Sequence, residues 1–104
     1  MEEFQVTDHN LVIRLPEEID HYRAGYICEQ ADAFIAQEEV EHVVFDFSQT
    51  RFMDSSGIGI LMGRYKKISC FGGKVYVLYP DNQVQRILRL SGVDKYVEII
   101  RGEE

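Results

Sequence analysis

Apolar residues first alternate with polar ones along this chain and then recur at a longer spacing. Residues 4–7 and 11–15 are short apolar-rich segments, and residues 8–10 between them have the composition of a turn. This pattern predicts a hairpin of two antiparallel strands. From Asp20 onward the apolar positions lie three and four residues apart, which predicts a helix with one buried face and Asp20 as its N-cap.

A strand, a helix and a second strand follow. Residues 43–47 are too continuously apolar for a strand with one face in water, so we expect a central strand covered on both faces, with Asp46 bonded to backbone groups of the adjoining loop. Residues 58–70 have helical spacing, and the glycines at 72–73 end that helix before an apolar strand at 74–79. A right-handed βαβ unit of this kind predicts helices on both faces of the sheet.

The remaining residues predict one more helix and one more strand. Pro80 ends the preceding strand, residues 84–92 have the pattern of a short helix, and a last strand lies near residues 97–100. The sequence thus predicts an α/β protein with a mixed sheet of four or five strands and flanking helices. The predicted order is strand, strand, helix, strand, helix, strand, helix and a short final strand.

Composition narrows the possible functions. The 104 residues, 45 % of them hydrophobic, are enough for one core, so we expect a single domain over residues 1–104. Eighteen acidic and 11 basic residues give a net charge of −7, which repels nucleic acid. Since no apolar run reaches the roughly 18 to 20 residues of a membrane span and the acidic start lacks a signal, we expect a cytoplasmic protein. We also expect it to be a monomer when free. Cys28 and Cys70 are predicted to be packed free thiols.

Polar residues cluster at the start of the second predicted helix, where Asp54 and Ser55 precede Ser56 and Gly57. Side-chain oxygens at such a position accept hydrogen bonds from the free N–H groups of the first helical turn. A hydroxyl there is also suited to carrying a phosphate, because those N–H groups and the helix dipole stabilise an anion. The cluster therefore suggests a switch. The carboxyl ends of parallel strands meet at one edge of a sheet, so we expect Asp20 on the same rim.

Each residue of the cluster also has a simpler interpretation. Ser55 is then a helix cap without regulation, and Ser56, with space beside it at Gly57, is the more ordinary cap candidate and an alternative phosphate acceptor. Asp54 is either a second cap or a group that orients the Ser55 hydroxyl in the active site of a partner. Asp20 is either an N-cap alone or part of a surface that faces a partner.

Two other function classes use the same residue types. A serine, an aspartate and three histidines are the components of a hydrolase, but the Gly-x-Ser-x-Gly pattern is missing around Ser55 and none of the histidines is placed as its base. Glycines at positions 57 and 59 beside a helix start suggest nucleotide binding, but the Gly-x-x-x-x-Gly-Lys pattern is missing as well. A nucleotide-binding regulatory module is kept as the alternative function.

The cluster and three further motifs resemble those of the anti-anti-sigma factors, the small single-domain members of the STAS group. The motifs, which together extend over nearly the whole chain, are Ile19-Asp20-His21, Phe52-Met53-Asp54-Ser55-Ser56-Gly57-Ile58-Gly59, Gly63-Arg64-Tyr65-Lys66 and Leu90-Ser91-Gly92-Val93. Within the group the resemblance is closest to the sporulation sigma-F type. One departure is that Pro16 and Glu17 precede the acid-apolar-Asp element, where the family usually has a glycine.

The resemblance implies the STAS fold and a partner switch. The unphosphorylated protein would bind an anti-sigma factor that is also a serine kinase and so release the sigma factor. The kinase, using ATP that it binds itself, would phosphorylate Ser55 and weaken the complex, and a metal-dependent serine phosphatase would restore the binding form. The implied partner-binding residues are Asp20, Asp54, Ser55, Ser56 and Gly57. The resemblance implies neither a catalytic residue nor a metal or cofactor in this chain.

Overall fold

The computed structural model describes residues 3–102. The elements in chain order are β1 (Phe4–Thr7), β2 (Asn10–Arg14), β3 (Glu18–Ile19), α1 (His21–Gln37), β4 (His42–Asp46), β5 (Phe52–Met53), α2 (Ser56–Ser69), β6 (Val75–Leu78), α3 (Asn82–Ser91), one turn of 3₁₀ helix (Val93–Lys95) and β7 (Glu98–Ile100). All the predicted elements are present. No helix among the described residues is both long and apolar enough to cross a membrane.

Five strands form one mixed sheet in the order β1-β2-β4-β6-β7. The first pair is the predicted antiparallel hairpin, and the other neighbours are parallel. Asp8 and His9 connect the hairpin with φ values of 51° and 67°, the left-handed conformation of both central residues in a type I′ turn. The strand predicted to be central is the third of the five, and β4, α2 and β6 form the predicted parallel unit.

The three helices lie on one face of this sheet, so the expectation of helices on both faces is wrong. The side chains beneath the helices are at most 1 % exposed, and they are Leu11, Ile13, Val43, Phe45, Val75 and Val77. The alternate positions, Val12, Val44 and Tyr76 among them, are only half-buried. The strand order explains the difference. Each parallel strand is added on the same side of the last, so successive right-handed crossovers carry every helix to the same face.

The helices bury the apolar positions that their spacing predicted. The fully buried helical residues with aliphatic side chains are Ala24, Ile27 and Ala31 of α1, Ile60, Leu61 and Ile68 of α2, and Val84 and Leu88 of α3. They join the buried face of the sheet in one cluster. Cys28 packs against this cluster as a free thiol, as predicted. Cys70 is free but exposed, because it lies one residue beyond the end of α2, so the prediction of a packed thiol is wrong there.

A charged pair that the sequence pattern did not reveal lies between α1 and α2. Arg64 is only 6 % exposed, and its Nε lies 3.0 Å from Oδ1 of Asp32, while Nζ of Lys67 lies 3.9 Å from Oδ2. Arg64 Nε and Asp32 Oδ1 are close enough to attract each other as opposite charges, but they are not aligned for a hydrogen bond. Removing Asp32 alone would leave the buried Arg64 charge uncompensated, so the pair links the two helices electrostatically.

Gly73 provides a test of the close approach between the end of α2 and the start of β6. A Cβ at this buried position would overlap the backbone carbonyl oxygens of Glu41 and Ile68, which cannot move aside as a flexible side chain can. Gly73→Ala should therefore lower the free energy of unfolding by about 2 kcal/mol. Gly25→Ala is the matched control, because nothing lies within 4 Å of its Cβ position. In the interior of α1 this alanine should raise stability by about 0.5–1 kcal/mol. Equal effects in urea unfolding would contradict the packing described.

Candidate functional site

Two strands of two residues each bring the predicted site together. β3 and β5 pair in parallel, with Glu18 opposite Phe52 and Ile19 opposite Met53. The N–H of Asp54 extends this ladder by donating to the Ile19 carbonyl at 3.2 Å. The chain that enters α1 and the chain that enters α2 therefore run side by side. The prediction that both helix starts share one rim is confirmed, although the sequence pattern did not reveal the ladder itself.

The two aspartates at this rim cap the two helices. Asp20 is the N-cap of α1, as predicted, and its Oδ1 accepts a hydrogen bond from the Arg23 N–H at 2.8 Å. Oδ1 of Asp54 accepts one from the Ser56 N–H, also at 2.8 Å. Each carboxylate also lies at the positive end of a helix dipole, a favourable position for a negative charge. The start of each helix is thus held by an acid on the rim.

Ser55 and Ser56 do not act as caps, contrary to their simpler interpretation. Ser55 precedes α2 with φ −63° and ψ −16°, already helical, and its side chain makes no cap hydrogen bond. Ser56 is the first residue of the helix, and its own N–H needs a cap. The Asp54 carboxylate, two residues earlier, accepts the hydrogen bond from this N–H. Within residues 3–102, the exposed Ser55 hydroxyl is left without a hydrogen-bond partner.

The first N–H groups of α2 are already engaged. Besides the Ser56 N–H, the Gly57 N–H donates to the Asp54 carbonyl and the Ile58 N–H to the Ser55 carbonyl, both at 3.1 Å. A phosphate on Ser55 would still lie in the field of the helix dipole. It would not find these three donors free, which corrects the expectation from the sequence. The negative charge of the phosphate would therefore stay exposed to any partner that binds at the rim.

Gly57 leaves room for a buried side chain of β5. The Met53 side chain, which is buried, lies where a Cβ on residue 57 would be. This contact lets α2 begin directly above β5. Of the two glycines that suggested nucleotide binding, Gly57 is accounted for by its packing against Met53. Gly59 is exposed, with nothing within 4 Å of its Cβ position.

The loop before β5 is anchored to the segment that departs from the expected family pattern. Thr50 is fully buried, and its hydroxyl donates to the Pro16 carbonyl at 2.8 Å. The Glu17 carbonyl accepts from the N–H groups of Arg51 and Phe52 at 2.8 and 3.1 Å. At the beginning of the loop, Oδ1 of Asp46 accepts from the Ser48 N–H at 2.8 Å, which confirms the predicted role of this aspartate. These hydrogen bonds fix the loop before β5 against residues 16 and 17, next to the rim.

The surface of the rim is acidic and partly apolar. A depression of about 260 Å³ lies along the β3–β5 ladder, with Glu18, Asp20 and Asp54 among its lining residues. The Phe52 ring, which is 56 % exposed, lies beside it, and Gln83 of α3 borders it from the other side. Three carboxylates and an exposed ring complement a basic, partly apolar protein surface and disfavour a bound anion.

The histidines are distributed as the sequence indicated. His9 lies in the hairpin turn and His42 begins β4, both at the edge opposite the rim. His42 Nδ1 accepts from the Lys74 N–H at 3.0 Å, and His9 Nδ1 lies 2.9 Å from the Glu39 carbonyl oxygen, so both bridge neighbouring backbone segments. His21 is exposed in the first turn of α1. Among the described residues no hydrogen bond joins a histidine to Ser55, and the arrangement gives no support to a serine hydrolase.

Comparison with known proteins agrees with this geometry. The sequence profile of the STAS domain matches residues 3–104. The anti-sigma F factor antagonist of Paenibacillus polymyxa is 38 % identical over 93 residues, which cover 89 % of this chain and 80 % of that protein. The unphosphorylated form of the anti-sigma factor antagonist SpoIIAA has a TM-score of 0.84 and 31 % identity, over 97 % of this chain and 89 % of the other. The phosphorylated form of the Bacillus cell fate determinant SpoIIAA has a TM-score of 0.76 and 30 % identity, over 97 % and 92 %.

The free energy of unfolding of two alanine variants shows whether Asp54 or Ser55 caps α2. Asp54→Ala removes the acceptor of the Ser56 N–H and should lower the free energy of unfolding by about 1 kcal/mol. Ser55→Ala removes a hydroxyl that bonds nothing in the described residues, so its effect should stay within about 0.5 kcal/mol, as for ordinary surface substitutions. Thermal unfolding of the two variants beside the parent protein gives both values. A larger loss for Ser55→Ala would mean that the serine is the cap.

Proposed function

The chain belongs to the STAS domain family, and we propose that residues 1–104 act as one STAS domain that antagonises an anti-sigma factor. In its unphosphorylated form this domain binds an anti-sigma factor that is also a serine kinase, and the bound sigma factor is released. Phosphorylation of Ser55 ends the binding, and a serine phosphatase restores it. The ATP is bound by the kinase, the domain performs no catalytic step, and the cycle runs in the cytoplasm.

The observation that carries this proposal is the state of the Ser55 hydroxyl. It is exposed at a helix start whose cap is supplied by the neighbouring residue Asp54. A kinase must turn a hydroxyl toward its own ATP, and here no internal hydrogen bond of the described residues has to be broken first. The backbone on either side is fixed by the β3–β5 ladder and by α2. Ser55 therefore offers an accessible acceptor on a rigid support, which is what a phosphorylation site that works as a switch requires.

The other residues of the rim are assigned to recognition of the partner. Asp20 and Asp54 present negative charge to a basic partner surface, and Asp54 also orients the segment that carries the acceptor hydroxyl. Ser56 begins α2 with a small side chain that allows close approach of the partner, whereas the buried Gly57 contributes only by leaving room for Met53 beneath the start of the helix. The relatives whose names state that they antagonise an anti-sigma factor support the identity of that partner.

A single phosphate is enough to end the binding because of where it is placed. It adds roughly −1.5 to −2 charges beside Asp54 and near Asp20. In the complex this group would be buried against a surface shaped for a hydroxyl. An uncompensated buried charge costs about 3 to 5 kcal/mol, which corresponds to a factor of about 10² to 10³ or slightly more in Kd. We therefore expect local exclusion of the partner without refolding of the domain.

Phosphate transfer tests the acceptor directly. The kinase partner would be isolated by co-purification from the source cell and identified by mass spectrometry, and then incubated with this protein and labelled ATP. Label should enter the protein only when the kinase is present. Ser55→Ala should bind the kinase, take up no label and never be released, and Ser55→Asp should bind poorly. Ser56→Ala is the control and should be labelled like the parent. Full labelling of Ser55→Ala would assign the phosphate to Ser56.

Charge at the rim can be separated from capping at Asp20. Asparagine is as good an N-cap as aspartate, so Asp20→Asn should retain the fold while it removes one negative charge. An exposed charge contributes up to about 1 kcal/mol, so kinase binding should weaken by as much as about fivefold, with a reduced dependence on salt. Asp94→Asn removes the same charge from the 3₁₀ turn at the opposite edge. Titration calorimetry at two salt concentrations should find this control unchanged, and equal weakening in both variants would remove the rim from the interface.

A further inference from the structure

A cavity of about 660 Å³ lies between the β1–β2 hairpin and the first half of α1, apart from the phosphorylation rim. Its floor is apolar and belongs to the core, because Ile13 and Ile27 are almost fully buried and Phe4 packs against the core cluster. The volume lies within the range of roughly 300–1,000 Å³ that small-molecule sites occupy. Neither the capping of the helices nor the proposed partner switch uses this space.

Aromatic rings form one side of the cavity. Tyr22 and Tyr26 lie one helical turn apart on α1, and they are 87 % and 55 % exposed. The Tyr26 ring is edge-on to Phe4, with 6.4 Å between centroids and 70° between planes. Phe4 in turn stacks on Phe34 at 5.7 Å. Large exposed rings beside an apolar floor can cover both faces of a flat ligand, so the shape and lining favour a planar aromatic group.

Charge is distributed unevenly along the cavity. Arg14 and Arg23 line the end nearest the rim together with Glu3, and Glu29 lies two turns further along α1 at the other end. The acidic side chains of Glu18 and Asp20 line the separate depression along the β3–β5 ladder, so Arg23 is a charged group that this cavity can offer a ligand at that end. Arg23 is exposed and uses Nη1 to donate to the Glu18 carbonyl at 3.1 Å, which holds its guanidinium at this end. A guanidinium presents further N–H groups in a plane that matches a carboxylate.

We propose that this cavity binds a small aromatic carboxylate. The ring lies beside Tyr26 and Phe4 over the apolar floor, and the carboxylate contacts the Arg23 guanidinium. Ligand binding should also affect the rim through two hydrogen bonds of Arg23. Its side chain donates to the Glu18 carbonyl of β3, and its backbone N–H donates to the Asp20 carboxylate. The free protein suffices to test this site, so its failure would be independent of the proposed kinase partner.

The test is an amide NMR titration of the isotope-labelled protein with naphthoate, and with naphthalenemethanol and naphthylmethylamine as neutral and cationic analogues of the same ring. Naphthoate should bind saturably and shift the amides of residues 4, 13 and 22–29, with smaller shifts at 18–20. It should bind up to about fivefold more tightly than the neutral analogue, which is the contribution of an exposed ion pair. The amine should bind more weakly than either.

Matched variants assign the contacts. Tyr26→Ala should weaken naphthoate about three- to tenfold. Tyr96→Ala removes an exposed ring that contacts Tyr65 on another face, and should leave binding unchanged. Arg23→Gln should abolish the preference for the anion, whereas Arg86→Gln on α3 should not. The proposal is overturned if naphthoate fails to saturate, if its shifts map to another surface, or if the amine binds as tightly as the acid.

Discussion

Two backbone pairings, Glu18 with Phe52 and Ile19 with Met53, determine the geometry on which the proposed site depends. They join the segment before α1 to the segment before α2, so that two helices from separate crossovers begin side by side. The ladder is short, and neighbouring contacts reinforce it: Thr50 bonds the Pro16 carbonyl, and Met53 packs into the space that Gly57 leaves open. Without this ladder, the Asp20 and Asp54 carboxylates would be caps of two unrelated helices. With it they form one acidic surface.

The distribution of capping roles on that surface has a functional consequence. A helix start needs an acceptor for its free N–H groups, and Asp54 satisfies this need one residue before the hydroxyl that the kinase is proposed to use. Ser55 can therefore change its charge without loss of the cap. The Gly57 and Ile58 N–H groups already donate to backbone carbonyls, so they are not free to bind a phosphate on Ser55. The proposed phosphorylation would alter the charge of the rim and leave the β3–β5 ladder and α2 in place.

Much of this arrangement could be predicted from the sequence, and the exceptions have physical causes. Strongly periodic segments gave the hairpin, the three helices and the capping of α1 by Asp20. The β3–β5 ladder has two residues in each strand, too few for any alternation to appear. The strand order, which puts all helices on one face, is a property of long-range pairing that local spacing does not encode. Aspartate and serine cap equally well, so sequence could not choose between Asp54 and Ser55. The sequence does not show that Arg64 is buried, because its partner Asp32 lies on another helix.

The central claim is that one phosphate switches the rim by local charge on an unchanged fold. The most direct measurement compares the amide chemical shifts of the free protein before and after phosphorylation of Ser55. The changes should be confined to Asp20, to residues 48–59 and to their immediate neighbours. Shifts that spread beyond the start of α3 at Gln83, into the rest of α3 and through β7, would contradict this claim, because those residues lie away from the rim and would respond only if phosphorylation refolded the domain.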